Sequence, residues 1–120
     1  MEEKAYRARF VRDLREELSC DQPTFAFIVG VSPAAVSRWE NGKALIRDRL
    51  WEKLHDMQEK LYGAPDAVRQ TTMLKMAISL EGGPAPIDLF LAGELEDELR
   101  ERVYDLGLGP GSDRMEFLVH

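Results

Sequence analysis

Gly30 and Ser32, one residue apart, constrain this chain more than any other feature. Gly30 reads as a helix stop, because only Gly takes a positive φ without steric cost. Ser32 reads as an N-cap, with Pro33 at the first helical position, where its missing N–H is no loss. Two short helices must therefore meet at a tight turn holding Val31. The first opens at Asp21, a good N-cap, with Gln22 and Pro23 behind it and Phe25, Ala26, Ile28 and Val29 as its apolar face. In the second, Val36 and Trp39 face inward together, Ser37 and Arg38 face out, and Gly42 ends the helix with Lys43 just beyond.

Two helices of about two turns each, with Gly beside the turn, fit a helix-turn-helix, whose second helix reads DNA bases from its N-terminal end. Ala34 and Ala35 are small enough to let the backbone approach a groove, and Ala can touch a thymine methyl. Arg38 is the long donor on the outward face, with the reach for guanine O6 and N7.

Arg15, Gln22, Phe25-Ala26, Gly30-Val31-Ser32, Val36-Ser37, Trp39-Glu40 and Asn41-Gly42-Lys43 together resemble the Xre/Cro (lambda repressor-like) family of phage and bacterial repressors. The resemblance covers roughly residues 7–55 and implies a helix-turn-helix bundle that binds DNA. It implies a buried structural ion pair between Arg15 and Glu40. It places phosphate contacts at Gln22, Asn41 and Lys43, joined by Ser32 and Arg47. Base reading falls on Pro33, Ala34, Ser37 and Arg38. Relatives often carry a polar residue where Pro33 and Ala34 stand, so this chain reads fewer bases directly or reads methyl groups. Many also have a Pro in the loop where Ala44, Leu45 and Ile46 stand here.

Charge divides the chain. Its net charge is −6, yet residues 1–55 hold ten Lys/Arg against nine Asp/Glu, a net of +1, and residues 56–120 hold six against thirteen, a net of −7. The acid should point away from a duplex, and the nearly neutral half predicts modest non-specific affinity. The single Cys20 excludes an internal disulfide framework and suits a reduced, cytoplasmic protein. No apolar run reads as a signal peptide or approaches the roughly 18 residues of a membrane span.

Around the motif, residues 4–18 read as a helix with Phe10, Leu14 and Leu18 every four positions and a basic start at Lys4, Arg7, Arg9, Arg12 and Arg15. Residues 47–62 read as another, with Leu50, Leu54, Met57 and Leu61 on one face, Trp51 beside them, and an Asp56–Lys60 pair. Gly63 and Pro65 end it. Two domains are expected: a helix-turn-helix domain over 1–63 and an acidic oligomerisation or partner-binding region over 64–120. Residues 66–80 fit either a helix capped by Asp66 or a strand, with helix favoured. Glu81-Gly-Gly-Pro-Ala-Pro86 reads as a turn or short linker. Residues 87–106 read as one helix, its stripe Ala92, Leu95, Leu99, Val103 and Leu106 suited to a partner helix. Arg114 to Val119 alternates as a short strand would. The expected fold class is thus mainly α, with a C-terminal α or α+β extension. Leu95, Leu99, Val103, Leu106 and Phe117 are its expected dimer interface.

Several chemistries find no support. The acidic run from Glu94 to Glu101 lacks His, Cys or a Gly-bearing calcium loop, and reads as a solvated face. Gly107, Gly109 and Gly111 are followed by no Lys-Ser/Thr. Two His and one Cys far apart make neither a zinc site nor a nucleophilic pair. The expectation is no enzyme, no metal and no cofactor. It is a repressor binding double-stranded DNA as a homodimer at a near-palindromic operator. The alternative is a protein-interaction module, such as an antitoxin or an RNA-polymerase-associated factor, whose acidic half binds a protein partner.

Overall fold

Local stop and start signals set the first three helices. The structure, a computed structural model, describes residues 3–77 and 83–105. Helix α1 spans Glu3–Glu17, α2 Gln22–Val29 and α3 Pro33–Glu40. Asp21 Oδ1 accepts from the Thr24 N–H at 2.9 Å and Ser32 Oγ from the Ala35 N–H at 3.1 Å, so both caps satisfy first-turn donors. The Thr24 bonds hold the Asp21 carboxyl below the usual carboxylate range. Gly30, at φ +84°, returns its N–H to the Ala26 carbonyl at 2.8 Å, and Val31 reaches the same oxygen at 2.9 Å. That left-handed residue turns the chain from α2 into α3.

Helix α4 spans Asp48–Gly63 and α5 Ala67–Met76, so the helix reading of residues 66–76 holds, while 78–80 lie outside the described residues. Asp66 stands at the N-cap position but makes no capping bond. Its carboxylate accepts instead from Gln70 and lies 3.6 Å from Arg69.

The helix expected over 87–106 is two. Helix α6 covers Pro86–Leu91 and α7 Leu95–Asp105, with Gly93 at φ +75° between them. The Gly93 and Glu94 N–H groups close back onto Phe90 and Leu89, which redirects the chain. Ile87, Leu89 and Phe90 thereby enter the core on one side of the break and Leu95 on the other. A straight helix would carry part of that set to solvent. The stretch Arg114–Val119, with Leu106 and Phe117, lies outside the described residues, as does the Val103 side chain. Every regular element among the described residues is a helix.

One apolar cluster runs through the chain. Val11, Leu14, Phe25, Ile28, Val36, Leu54 and Met57 join Leu74, Ala77, Ile87 and Phe90, each 2% exposed or less. Helix α6 packs on α2, α4 and α5, so the helices after Gly63 share the core of those before it. Lys53 Nζ meets Asp88 Oδ1 at 2.7 Å, and Lys60 donates to the Phe90 carbonyl rather than pairing along its own helix. Leu95, expected at a dimer interface, is 2% exposed within this core, and Leu99 packs half-buried against it. The acidic flank of α7 remains outside, where Arg100 and Arg69 both bond Glu96.

Candidate nucleic-acid interface

Helix α3 is held by its inner face and free on its outer one. Val36 is fully buried and Trp39 is 8% exposed, while Ser32, Pro33, Ala34 and Arg38 are exposed. Ala35, expected on the approach face, packs half-buried against the core. The outward surface of α3 is therefore small at its N-terminus, with one long cation a turn later. No described residue of the C-terminal half covers it.

Glu40 fixes the other end of α3. Arg15 of α1 donates from Nε to Oε2 at 2.7 Å and from Nη2 to Oε1 at 2.9 Å, a bidentate pair. Its third donor, Nη1, reaches the Cys20 carbonyl at 3.0 Å. Burial alone pushes the Glu40 carboxyl upward, but hydrogen bonds from Arg15 and Gln22, with the charges of Arg15 and Arg12, outweigh it and the net direction is down. Arg15 is raised by its bond to Glu40. Gln22, expected at a phosphate, sits half-buried with Nε2 on Glu40 Oε1 at 3.3 Å. Its amide thus ties the start of α2 to the end of α3.

Sequence reasoning missed Arg12, which donates from Nη2 to the Glu40 carbonyl at 3.2 Å and lies 3.6 Å from its carboxylate. The signal was there: Arg12 precedes Arg15 by three residues, so one helix face carries both.

The loop after α3 is closed by its backbone. The Lys43 N–H donates to the Arg38 carbonyl at 2.8 Å and the Asn41 N–H to the Ser37 carbonyl at 3.0 Å. Asn41 Nδ2 also donates to Ser37 Oγ at 3.3 Å, which leaves the Ser37 hydroxyl hydrogen free to point outward. Asn41, Lys43 and Arg47 are exposed. Arg7, from the basic start of α1, is used structurally. It donates to the Ile46 carbonyl at 2.8 Å, pairs with Glu3 and Asp48, and lies over the Trp51 ring. That clamps α1 to the loop that leads into α4. Trp51 is wedged among Tyr6, Phe10 and His55, and Phe10 stacks on His55 at 4.2 Å.

Among the described residues no group of His, Cys, Asp or Glu is arranged to hold a metal ion, and no helix is long and apolar enough to cross a membrane. No curated protein and no solved structure matches the chain. Residues 11–56 do match a protein-family model described as helix-turn-helix. That span starts within α1 and ends within α4, enclosing the capped turn, the outward face of α3 and the Arg15–Glu40 pair. The match supports a helix-turn-helix of the Xre/lambda repressor-like type over residues 11–56, and with it a DNA-binding transcriptional regulator in general.

Proposed function

We propose that this protein is a sequence-specific repressor that binds a near-palindromic operator as a homodimer, with α3 in the major groove. The observation that carries the reading is the outer face of α3. Small exposed residues stand at its N-terminus and Arg38 one turn on, over an inner face that is fully packed. Pro33 and Ala34 meet methyl or other apolar base edges. Ser37 and Arg38 hydrogen-bond to bases. Ser32, Asn41, Lys43 and Arg47 contact phosphates and set the register. Gln22 does so through its backbone N–H at the start of α2 while its side chain holds Glu40.

Two-fold symmetry places half-sites about one helical turn, roughly 34–36 Å, apart. With Leu95 within the core, the subunits pair through the stripe from Leu99 onward, with Val103, Leu106 and Phe117. The division into a reading domain over 1–63 and a pairing region over 64–120 is then functional, across a shared core.

Selection of bound sites from random duplexes supplies the operator, and Arg38→Ala tests the reading. The variant should lose about 1–3 kcal/mol and relax preference at one base pair. Unchanged affinity and preference would remove α3 from the groove. A second reading, an antitoxin or polymerase-associated factor, is favoured by the exposed acids Glu94, Asp97 and Glu101 at α7. Absence of duplex binding at low salt would support it over the first.

A further inference from the structure

Helices α1 and α4 run side by side in the same direction, and aromatic rings fill the seam between them. Tyr6 lies against Trp51 with ring centroids 6.0 Å apart, Phe10 stacks on His55 at 4.2 Å, and the Tyr62 hydroxyl bonds to Glu17. Each of these pairs is 45 positions apart, the constant offset of two parallel helices. The seam stays open to solvent. Tyr6 is 51% and Tyr62 70% exposed at its two ends, with Phe10, Trp51 and His55 half-buried between them. We propose that this seam is the docking site for a basic amphipathic helix of a protein partner.

Charge selects the occupant. Asp13 and Glu17 follow Phe10 at helical spacing on α1. On α4, Glu52, Asp56 and Glu59 follow Trp51 and His55 by one residue or one turn. All five carboxylates are exposed, and none forms an ion pair among the described residues. The neighbouring cations are committed elsewhere. Lys53 pairs with Asp88, Lys60 donates to the Phe90 carbonyl, Arg7 holds the Ile46 carbonyl and Asp48, and Arg12 and Arg15 hold Glu40. Arg9, one turn before Asp13, is the exposed cation on that side of α1. A negative rim around an aromatic floor repels nucleic acid and anionic lipid. It also repels a second copy of the same seam, which would set acid against acid. Residues 106–120 carry Arg114 against Asp113 and Glu116, so the end of this chain brings no complementary charge. A Lys/Arg-rich segment does.

Shape selects a helix. From Trp51 to Tyr62 the floor covers about 17 Å, or three turns. A helix laid along it meets the rings with apolar residues at i, i+3, i+4 and i+7, while its flanking Lys and Arg meet the acids. Tyr and Trp are the side chains that anchor such contacts. The site also stands apart from α3. Arg12 and Arg15 reach the end of α3 from one side of α1, and Tyr6 and Phe10 turn to α4 from another.

The probe is a labelled helical peptide with Leu at i, i+3, i+4 and i+7 and Lys on both flanks. It is titrated with the full chain, without DNA, and read by fluorescence anisotropy. A Glu-for-Lys version and a scrambled Lys version of the same composition are run beside it. The Lys helix should bind, the Glu helix should not, and the scrambled peptide should bind more weakly. Glu52→Gln/Asp56→Asn/Glu59→Gln should weaken the Lys helix and flatten its salt dependence. Tyr62→Ala, at an exposed ring, should weaken it by about fivefold or more. Glu94→Gln/Asp97→Asn/Glu101→Gln, at the exposed acids of α7, should bind as wild type. Circular dichroism establishes that each variant is folded.

No binding of the Lys helix, equal binding of its scrambled version, unchanged affinity in both seam variants, or loss in the α7 variant instead would overturn the inference. Sedimentation separates the other occupant. A wild-type self-association that Tyr62→Ala abolishes and the Lys helix competes away would assign the seam to a second copy and overturn the partner. Because no titration contains DNA, failure of the chain to bind any duplex would count against the functional reading alone.

Discussion

Glu40→Ala removes the group on which the C-terminal end of α3 depends. Arg15, its side chain 18% exposed, loses bonds of 2.7 and 2.9 Å, and Gln22 loses its acceptor at 3.3 Å. Breaking a buried pair from one side costs about 3–5 kcal/mol, because the remaining charge stays desolvated. Arg15 keeps the Cys20 carbonyl and some access to water, which puts the expected loss near the lower end, at about 3 kcal/mol. Typical domains hold about 5–15 kcal/mol in total, so the variant should unfold at a much lower urea midpoint with its slope unchanged. Far-UV circular dichroism across a urea series reads both. Arg15→Met/Glu40→Leu should be less destabilised than Glu40→Ala, since two apolar groups leave no buried charge. A loss under about 1 kcal/mol, typical of a surface pair, would refute the reasoning.

Three further outcomes are expected. The Glu40 carboxyl is net lowered, so its contribution is complete above the ordinary glutamate range and is lost as pH falls through the lowered value; the stability gap between wild type and Glu40→Gln should therefore close in acid, and a gap independent of pH contradicts it. Gly30→Ala should cost more than about 1 kcal/mol, because φ is +84° and the added Cβ would meet Ala85 Cβ at 2.7 Å; Ala85→Gly should restore only the steric part, and full recovery in the double variant would show that the backbone bears no strain. Asn41→Asp replaces a donor to Ser37 Oγ by an acceptor, which turns the Ser37 hydroxyl hydrogen inward. Site selection should then move one base preference from acceptor-bearing edges toward donors, whereas an unchanged preference would free Ser37 from Asn41.

The helix-turn-helix was legible because its signals are local. Asp21, Gly30, Ser32 and Pro33 each act on backbone groups within four residues, so their effect does not wait for the rest of the fold. The inward pair Val36 and Trp39 follows from helical spacing alone. Arg15 with Glu40 was legible only through resemblance, since nothing in their spacing of 25 residues brings them together.

The sequence alone settled where the chain must turn and which face of α3 is left outward, since caps, glycines and apolar spacing are properties of short segments. Tertiary structure decided the rest. It broke the expected 87–106 helix at Gly93, drew Leu95 inward, and set Ala85 against Gly30. It also gave the Gln22 amide to Glu40 and set Phe10 against His55. Periodicity shows that a helix has an apolar face but not which surface will cover it. That choice belongs to the packing of α6 against α2, α4 and α5, made between residues far apart in the chain.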